Sequence, residues 1–236
     1  MQSASLFGAY SLSFLTILLG ASLAEFCAAR RRIAAPALML ALFAGLWVYG
    51  ALRLAAGPAG TVPHVMMRLV QPDVPQNQKY VRRYVTRNWQ RLLDLSRVPG
   101  KVTHIVWPEA APPFLLDRSA VAMGEIRALT QGGRSLITGS ARAARDGDTV
   151  SFYNSLYIFG PGGRLEAIYD KFHLVPFGEY VPAFLQALGL NNVVNIPGSF
   201  GFGSGPQTFS IPGAPPVGPL ICYEILFPGE VTAKNR

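Results

Sequence analysis

The stretch Phe152–Lys171, "FYNSLYIFGPGGRLEAIYDK", holds two largely apolar runs joined by Gly-Pro-Gly-Gly. Glycine and proline in that order turn a chain, so the stretch predicts a β-hairpin. Upstream, "HVMMRLV" (64–70), "VTHIVWPE" (102–109) and "RSLITGSA" (134–141) read as further strands. Between the first two, "KYVRRYVTRNWQRLLDLSR" (79–97) sets Tyr84, Trp89, Leu92, Leu93 and Leu95 on a broadly helical period and leaves a basic outer face. "SAVAMGEIRALTQGG" (119–133) reads as a second helix, stopped by Gly132-Gly133. Strands alternating with helices, followed by a hairpin, predict a layered α/β domain over 64–236. Its last part reads as a loop, "FHLVPFGEYVP" (172–182), then a short helix from Ala183 to Leu188. A glycine-rich stretch from Gly198 to Gly205 follows, and then a strand, "VGPLI", that ends on Cys222.

The first quarter of the chain is different in kind. Half of all residues are hydrophobic and 14% are charged, and the excess is concentrated in "LFGAYSLSFLTILLGASLA" (6–24) and "IAAPALMLALFAGLWVYGAL" (33–52). Neither run contains a charge, and each is long enough to cross a bilayer as a helix. The loop between them, "EFCAARRR" (25–32), carries three consecutive arginines. The positive-inside rule puts such a loop in the cytoplasm, so everything after Arg53 is expected on the other side, in a bacterium the periplasmic face. Residues 1–55 thus read as a transmembrane helical hairpin and 56–63 as a Gly/Pro/Ala linker. A cleaved signal peptide fits poorly, because "MQSAS" is uncharged and a second span follows.

The net charge of +8 comes from scattered basic residues, with no aromatic-basic stripe pointing to nucleic acid. Attraction to an anionic membrane surface is the simpler reading. Cys27 and Cys222 make no disulfide framework, and Cys27 at the membrane boundary reads as a small apolar filler. His64, His104 and His173 lie too far apart in sequence to suggest a zinc site.

Three chemically complementary residues fall at strand ends: Glu109 after "HIVWP", Lys171 after "EAIYD", and Cys222 after "VGPLI". Strand ends face the ligand crevice in layered α/β folds. A carboxylate in a dry pocket can take a thiol proton, and an ammonium can hold the oxyanion made when the thiolate attacks a carbonyl. Spacing alone leaves the alternatives open. Cys222 can be a buried core residue, Lys171 a solvated partner of Asp170, and Glu109 a turn cap.

"VWPEAAPPF", "YDKFHLVPFGEYVP" and "GPLICYEILFPGE" resemble the three signature blocks of the nitrilase superfamily, and in particular its membrane branch, the apolipoprotein N-acyltransferases. "GAYSLSFLTILL" and "RLVQPDVPQNQKY" are similar to that branch too. The resemblance implies an α-β-β-α sandwich with Glu109 as general base, Lys171 as oxyanion lysine and Cys222 as nucleophile. Glu179, Tyr223 and Glu224 fall on supporting positions, Glu179 orienting Lys171 or taking part in proton traffic.

The implied reaction transfers an acyl chain from a membrane phospholipid, through a thioester on Cys222, to the α-amine of a diacylglyceryl-cysteine that begins an apolipoprotein. It requires no metal or dissociable cofactor. The family's enzymes carry more membrane helices than two and a further block after the nucleophile, so the chain reads as a fragment with an incomplete sandwich. A membrane-tethered amidase and an inactive remnant are the alternative readings.

Overall fold

The computed structural model describes residues 2–27, 33–57, 60–183, 199–227, 229–230 and 233. The chain forms two compact units, Met1–Thr61 and Val62–Arg236. In the first, α1 (Ala4–Cys27) and α2 (Ala34–Ala55) each contain 22 residues long and apolar enough to cross a membrane, with mean hydropathy 1.7 and 1.8. Few of their side chains are buried, so neither is the core helix of a globular domain. Gly8, at φ 77°, breaks α1 near its start. The arginines of the intervening loop lie outside the described residues.

The second unit is built on one five-stranded sheet in the order β1-β2-β3-β4-β5. Its strands are β1 (Met67–Leu69), β2 (His104–Val106), β3 (Ser135–Asp146), β4 (Thr149–Phe159) and β5 (Leu165–Asp170). The first three are parallel, linked through α3 (Arg82–Arg97) and α4 (Ala120–Leu129), and β3, β4 and β5 then form an antiparallel meander. Two reversals make β5 run in the same direction as β1 to β3. The carboxyl ends of β2 and β5 therefore open on the same edge of the sheet.

The apolar faces of α3 and α4 explain the packing. Trp89, Leu92 and Leu93 of α3 meet Ala122, Ile126 and Leu129 of α4 over Ile105, Leu136, Tyr157 and Phe159 of the sheet. Ile105, Leu136 and Phe159 are consecutive cross-strand partners, so they form one ridge under the helices. Trp89 stacks edge-on against Trp107 at 5.4 Å. Its indole N–H donates to Glu125, while that of Trp107 donates to Ser96 at 2.8 Å. Arg68 of β1 donates to the backbone carbonyls of Ser96 and Val98, where an α-helix leaves acceptors unpaired. The helix is thus fastened to the sheet by polar as well as apolar contacts.

Two features differ from the sequence reading. The strand predicted at 134–141 continues to Asp146 and returns through Gly147, at φ 57°, as a long hairpin with β4. No strand ends on Cys222: Val217 makes a single bridge to Phe209, and Cys222 opens a 3₁₀ turn, Cys222–Leu226. Pro212, Pro215, Pro216 and Pro219 deprive that segment of the N–H donors a ladder needs. The helix expected at Ala183–Leu188 falls almost wholly outside the described residues. Among the described residues there is one sheet, carrying helices α3 and α4.

Leu93 has no exposed surface at the centre of this core. Leu93→Ala is expected to destabilise the second unit by about 2–5 kcal/mol, read as a lowered urea midpoint in detergent.

Candidate active site

Lys171 follows the last residue of β5, and only 1% of its side chain is exposed. A buried ammonium is unfavourable unless charge and hydrogen bonds compensate it. Its Nζ lies 2.8 Å from Glu179 Oε2 and 3.9 Å from Glu109 Oε1. Asn154, in the middle of β4, ties the two acids together. Its Nδ2 donates to Glu109 Oε1 at 2.7 Å and to Glu179 Oε1 at 2.8 Å. The main chain of Asn154 also accepts from the Lys171 N–H, at 2.8 Å.

The two carboxylates are held unequally. Glu179 is 12% exposed and accepts from Lys171, Asn154 and the Val175 N–H, each at 2.8 Å. Burial by itself raises its pKa. The hydrogen bonds from Lys171, Val175 and Asn154 outweigh that and hold the carboxyl below the usual range. The Glu109 side chain is 37% exposed, and its carboxylate receives a hydrogen bond only from Asn154 among the described residues.

Backbone devices bring these groups together. The Glu109 loop crosses directly over Gly139 of β3, where a Cβ would stand 2.7 Å from the Glu109 Cα. The loop is latched by the Ala111 N–H to the Gly139 carbonyl at 3.0 Å, and Ala110 takes φ 47°. Phe177, two residues before Glu179, is also left-handed at φ 63°. Such conformations in non-glycine residues persist only where surrounding contacts enforce them. Gly203 closes the opposite side, donating to the Lys171 carbonyl at 2.9 Å, and a Cβ there would lie 1.9 Å from the Asp170 carbonyl oxygen.

A cleft of about 350 Å³ opens beside the cluster, lined in part by Gln76, Lys79, Tyr80, Glu109, Asn154 and Glu179. Lys79 donates to the Glu109 carbonyl at 3.2 Å. Burial lowers the pKa of Lys79, partly offset by Glu109, and raises that of Tyr80.

Cys222 is exposed and left-handed, at φ 51°. Among the described residues no hydrogen bond joins its thiol to Glu109 or Lys171. Glu224 links the two regions instead. Its buried carboxylate accepts from the N–H of Ile221 at 2.7 Å, from Phe172 at 2.8 Å, from His173 at 3.2 Å and from the Tyr169 hydroxyl at 2.6 Å. One carboxylate therefore binds the residue before Cys222 and the residue after Lys171. Tyr223 packs edge-on against Phe227 at 5.1 Å.

Asp170 does not partner Lys171. It accepts from Arg142 at 3.0 and 2.6 Å and from Ser155 at 2.6 Å, which removes the reading of an ordinary Asp-Lys surface pair. Asn154 escaped the sequence reading altogether, since one asparagine inside an apolar strand carries no spacing signal.

Residues 68–236, well over half of the chain, match the carbon-nitrogen hydrolase family. The chain belongs to that family. It is also similar to proteins named apolipoprotein N-acyltransferase. It is 39% identical over 252 residues to that of Bradyrhizobium diazoefficiens and 36% over 252 residues to that of Rhodopseudomonas palustris. Each comparison covers 100% of the chain and 47% of the relative, so the chain spans about half the length of the curated relatives it matches. Among solved structures, the carbon-nitrogen hydrolase of Helicobacter pylori G27 overlaps 62% of this chain and 48% of its own, at 17% identity and a TM-score of 0.38.

The depressed pKa of Glu179 has a consequence for stability. Its contribution is fully present above the ordinary value of 4.5 and is lost as pH falls through the lower folded value. Glu179→Gln is expected to lower the urea midpoint at neutral pH and to flatten its decline in acid. A wild-type decline unchanged by the substitution would assign that acid sensitivity to other carboxyls.

Proposed function

We propose that the chain carries the acyl-transfer site of an apolipoprotein N-acyltransferase, with Cys222 as nucleophile, Glu109 as general base and Lys171 as oxyanion stabiliser. The observation that supports this reading best is the asymmetry around Lys171. Two carboxylates flank one buried ammonium, and only Glu179 is fully occupied by donors. Glu179 is the permanent counterion that keeps Lys171 charged and oriented. Glu109, more exposed and less encumbered, is the carboxylate with capacity to take a proton.

In the first half-reaction the Cys222 thiol gives its proton to Glu109, and the thiolate attacks the ester carbonyl of a membrane phospholipid. Lys171 faces the negative charge that builds on the carbonyl oxygen. The tetrahedral intermediate collapses by breaking the ester C–O bond. The leaving lysophospholipid takes the proton from Glu109, and the acyl chain remains on Cys222 as a thioester. In the second half-reaction the α-amine of a diacylglyceryl-cysteine at an apolipoprotein N-terminus attacks the thioester and loses a proton to Glu109. Collapse expels the Cys222 thiolate, which recovers that proton, and the product carries a third acyl chain in amide linkage.

Glu224 supports the site by holding the 3₁₀ turn of Cys222 to the Phe172 and His173 amides, and Tyr223, within that turn, packs edge-on against Phe227. Both substrates are lipids, which fits α1 and α2 as a membrane hairpin. We place that hairpin in a bacterial inner membrane with its loop in the cytoplasm and the second unit on the periplasmic side.

Cys222→Ala is expected to abolish the covalent acyl adduct formed with a phospholipid donor, detected by mass spectrometry of the intact protein. An adduct persisting on another residue removes Cys222 from the role. Glu109→Gln is expected to slow thioester formation about 10²–10⁴-fold. A near-normal rate in that variant means another group takes the proton. Release of ammonia from small amides, without transfer to a lipopeptide amine, would instead identify an amidase.

A further inference from the structure

Helix α3 contains Arg82, Arg83, Arg87, Arg91 and Arg97, with Asp94 its one acid. Asp94 pairs with Arg97 at 3.9 Å. Arg82, Arg83, Arg87 and Arg91 are exposed, and among the described residues none of them forms an ion pair. Arg83, Arg87 and Arg91 recur at every fourth residue, about 6 Å apart along the helix. They form a row opposite the buried Trp89, Leu92 and Leu93. The row is partly rigid. The guanidinium groups of Arg83 and Arg87 lie 4.7 and 4.4 Å from the centre of the Tyr84 ring, and Arg87 donates to Gln78 Oε1 at 2.7 Å.

We infer that this arginine row is a docking surface for the anionic phosphate headgroups of a phospholipid bilayer. Three exposed cations on one helix face, none of them in an ion pair among the described residues, complement a negatively charged surface, where each contributes about a fivefold gain in occupancy. The exposed Tyr80 and Val81 beside the row are residues of the kind that settle at a headgroup boundary. Nucleic acid is the weaker match. Base stacking needs a free aromatic face, whereas Arg83 and Arg87 engage the Tyr84 ring and the Lys79 ammonium lies 5.6 Å from the centre of the Tyr80 ring. The inference rests on the reading of α1 and α2 as a bilayer hairpin, and it assigns a role to the basic charge that the acyl-transfer site leaves unused.

The test uses the full chain with Cys27→Ser and Cys222→Ser, so that Gln90→Cys, exposed on α3 two turns from Arg83, takes a single fluorescent donor. The protein is reconstituted in nanodiscs of phosphatidylcholine, without or with about 30% phosphatidylglycerol, doped with a headgroup-labelled acceptor lipid. Energy transfer is expected to rise with phosphatidylglycerol. It is expected to fall back when salt goes from about 0.05 to about 0.5 M, as screening shortens the reach of the charges. Arg83→Gln, Arg87→Gln and Arg91→Gln together are expected to remove most of the rise, while the corresponding lysine substitutions retain it. Equal thermal melts of these variants confirm that α3 stays packed.

Transfer that ignores lipid composition, or a rise that survives the glutamine substitutions, overturns the proposal alone. A chain that an alkaline wash strips from phosphatidylcholine vesicles overturns the bilayer reading and the proposal with it. Tighter retention by an RNA oligonucleotide than by anionic nanodiscs also overturns it, and assigns the row to nucleic acid.

Discussion

A lysine ammonium removed almost entirely from water is the constraint on which the second unit is organised. Desolvating such a charge costs several kcal/mol unless anions and hydrogen bonds surround it. The chain meets that cost with residues from four separate places: Glu109 after β2, Asn154 within β4, Lys171 after β5 and Glu179 in the following loop. None of the four makes sense without the others. A lone buried ammonium at Lys171 would go uncompensated, and two carboxylates bridged by one amide would repel each other without the ammonium between them.

Gathering these groups imposes conditions on backbone that carries no chemistry. Gly139 leaves room for the Glu109 loop to lie flat on the sheet, and Gly203 does the same above Asp170. Ala110 and Phe177 accept left-handed conformations on either side of the cluster. The Glu224 carboxylate solves a related problem. Four donors from two distant segments converge on it, so the turn bearing Cys222 is fixed relative to Lys171 through a buried anion rather than through a sheet ladder. Arg142 serves in a similar way by occupying Asp170, which leaves Lys171 to Glu179 and Glu109.

Much of this architecture was legible in the order of residues. Helix α3 follows from its apolar period, α4 from the stop at Gly132-Gly133, and β4 and β5 from the Gly-Pro-Gly-Gly turn. Glu109 and Lys171 stood out because each follows a strand, and the topology brings those strand ends to one edge. Other features left fainter marks. The two-residue Gly147-Asp148 loop is a recognised hairpin signal, but the polar run around it masked the extension of β3. Prolines at 215, 216 and 219 argued against a strand before Cys222, while the apolar character of "VGPLI" argued for one. The prolines prevailed, because a ladder needs donors that hydrophobicity cannot supply.

The sequence by itself determined the two apolar helices, the alternation of strands and helices, and the thiol, carboxylate and ammonium groups available to the candidate site. Those depend on local periodicity and composition, which a linear reading captures. Only the tertiary structure decided that Asn154 joins two carboxylates, that Glu179 and not Asp170 is the close partner of Lys171, and that Glu224 ties the Cys222 turn to β5. Each of these is a contact that no local periodicity encodes. It is chosen because a buried charge must find whatever partners the folded backbone brings within hydrogen-bond reach.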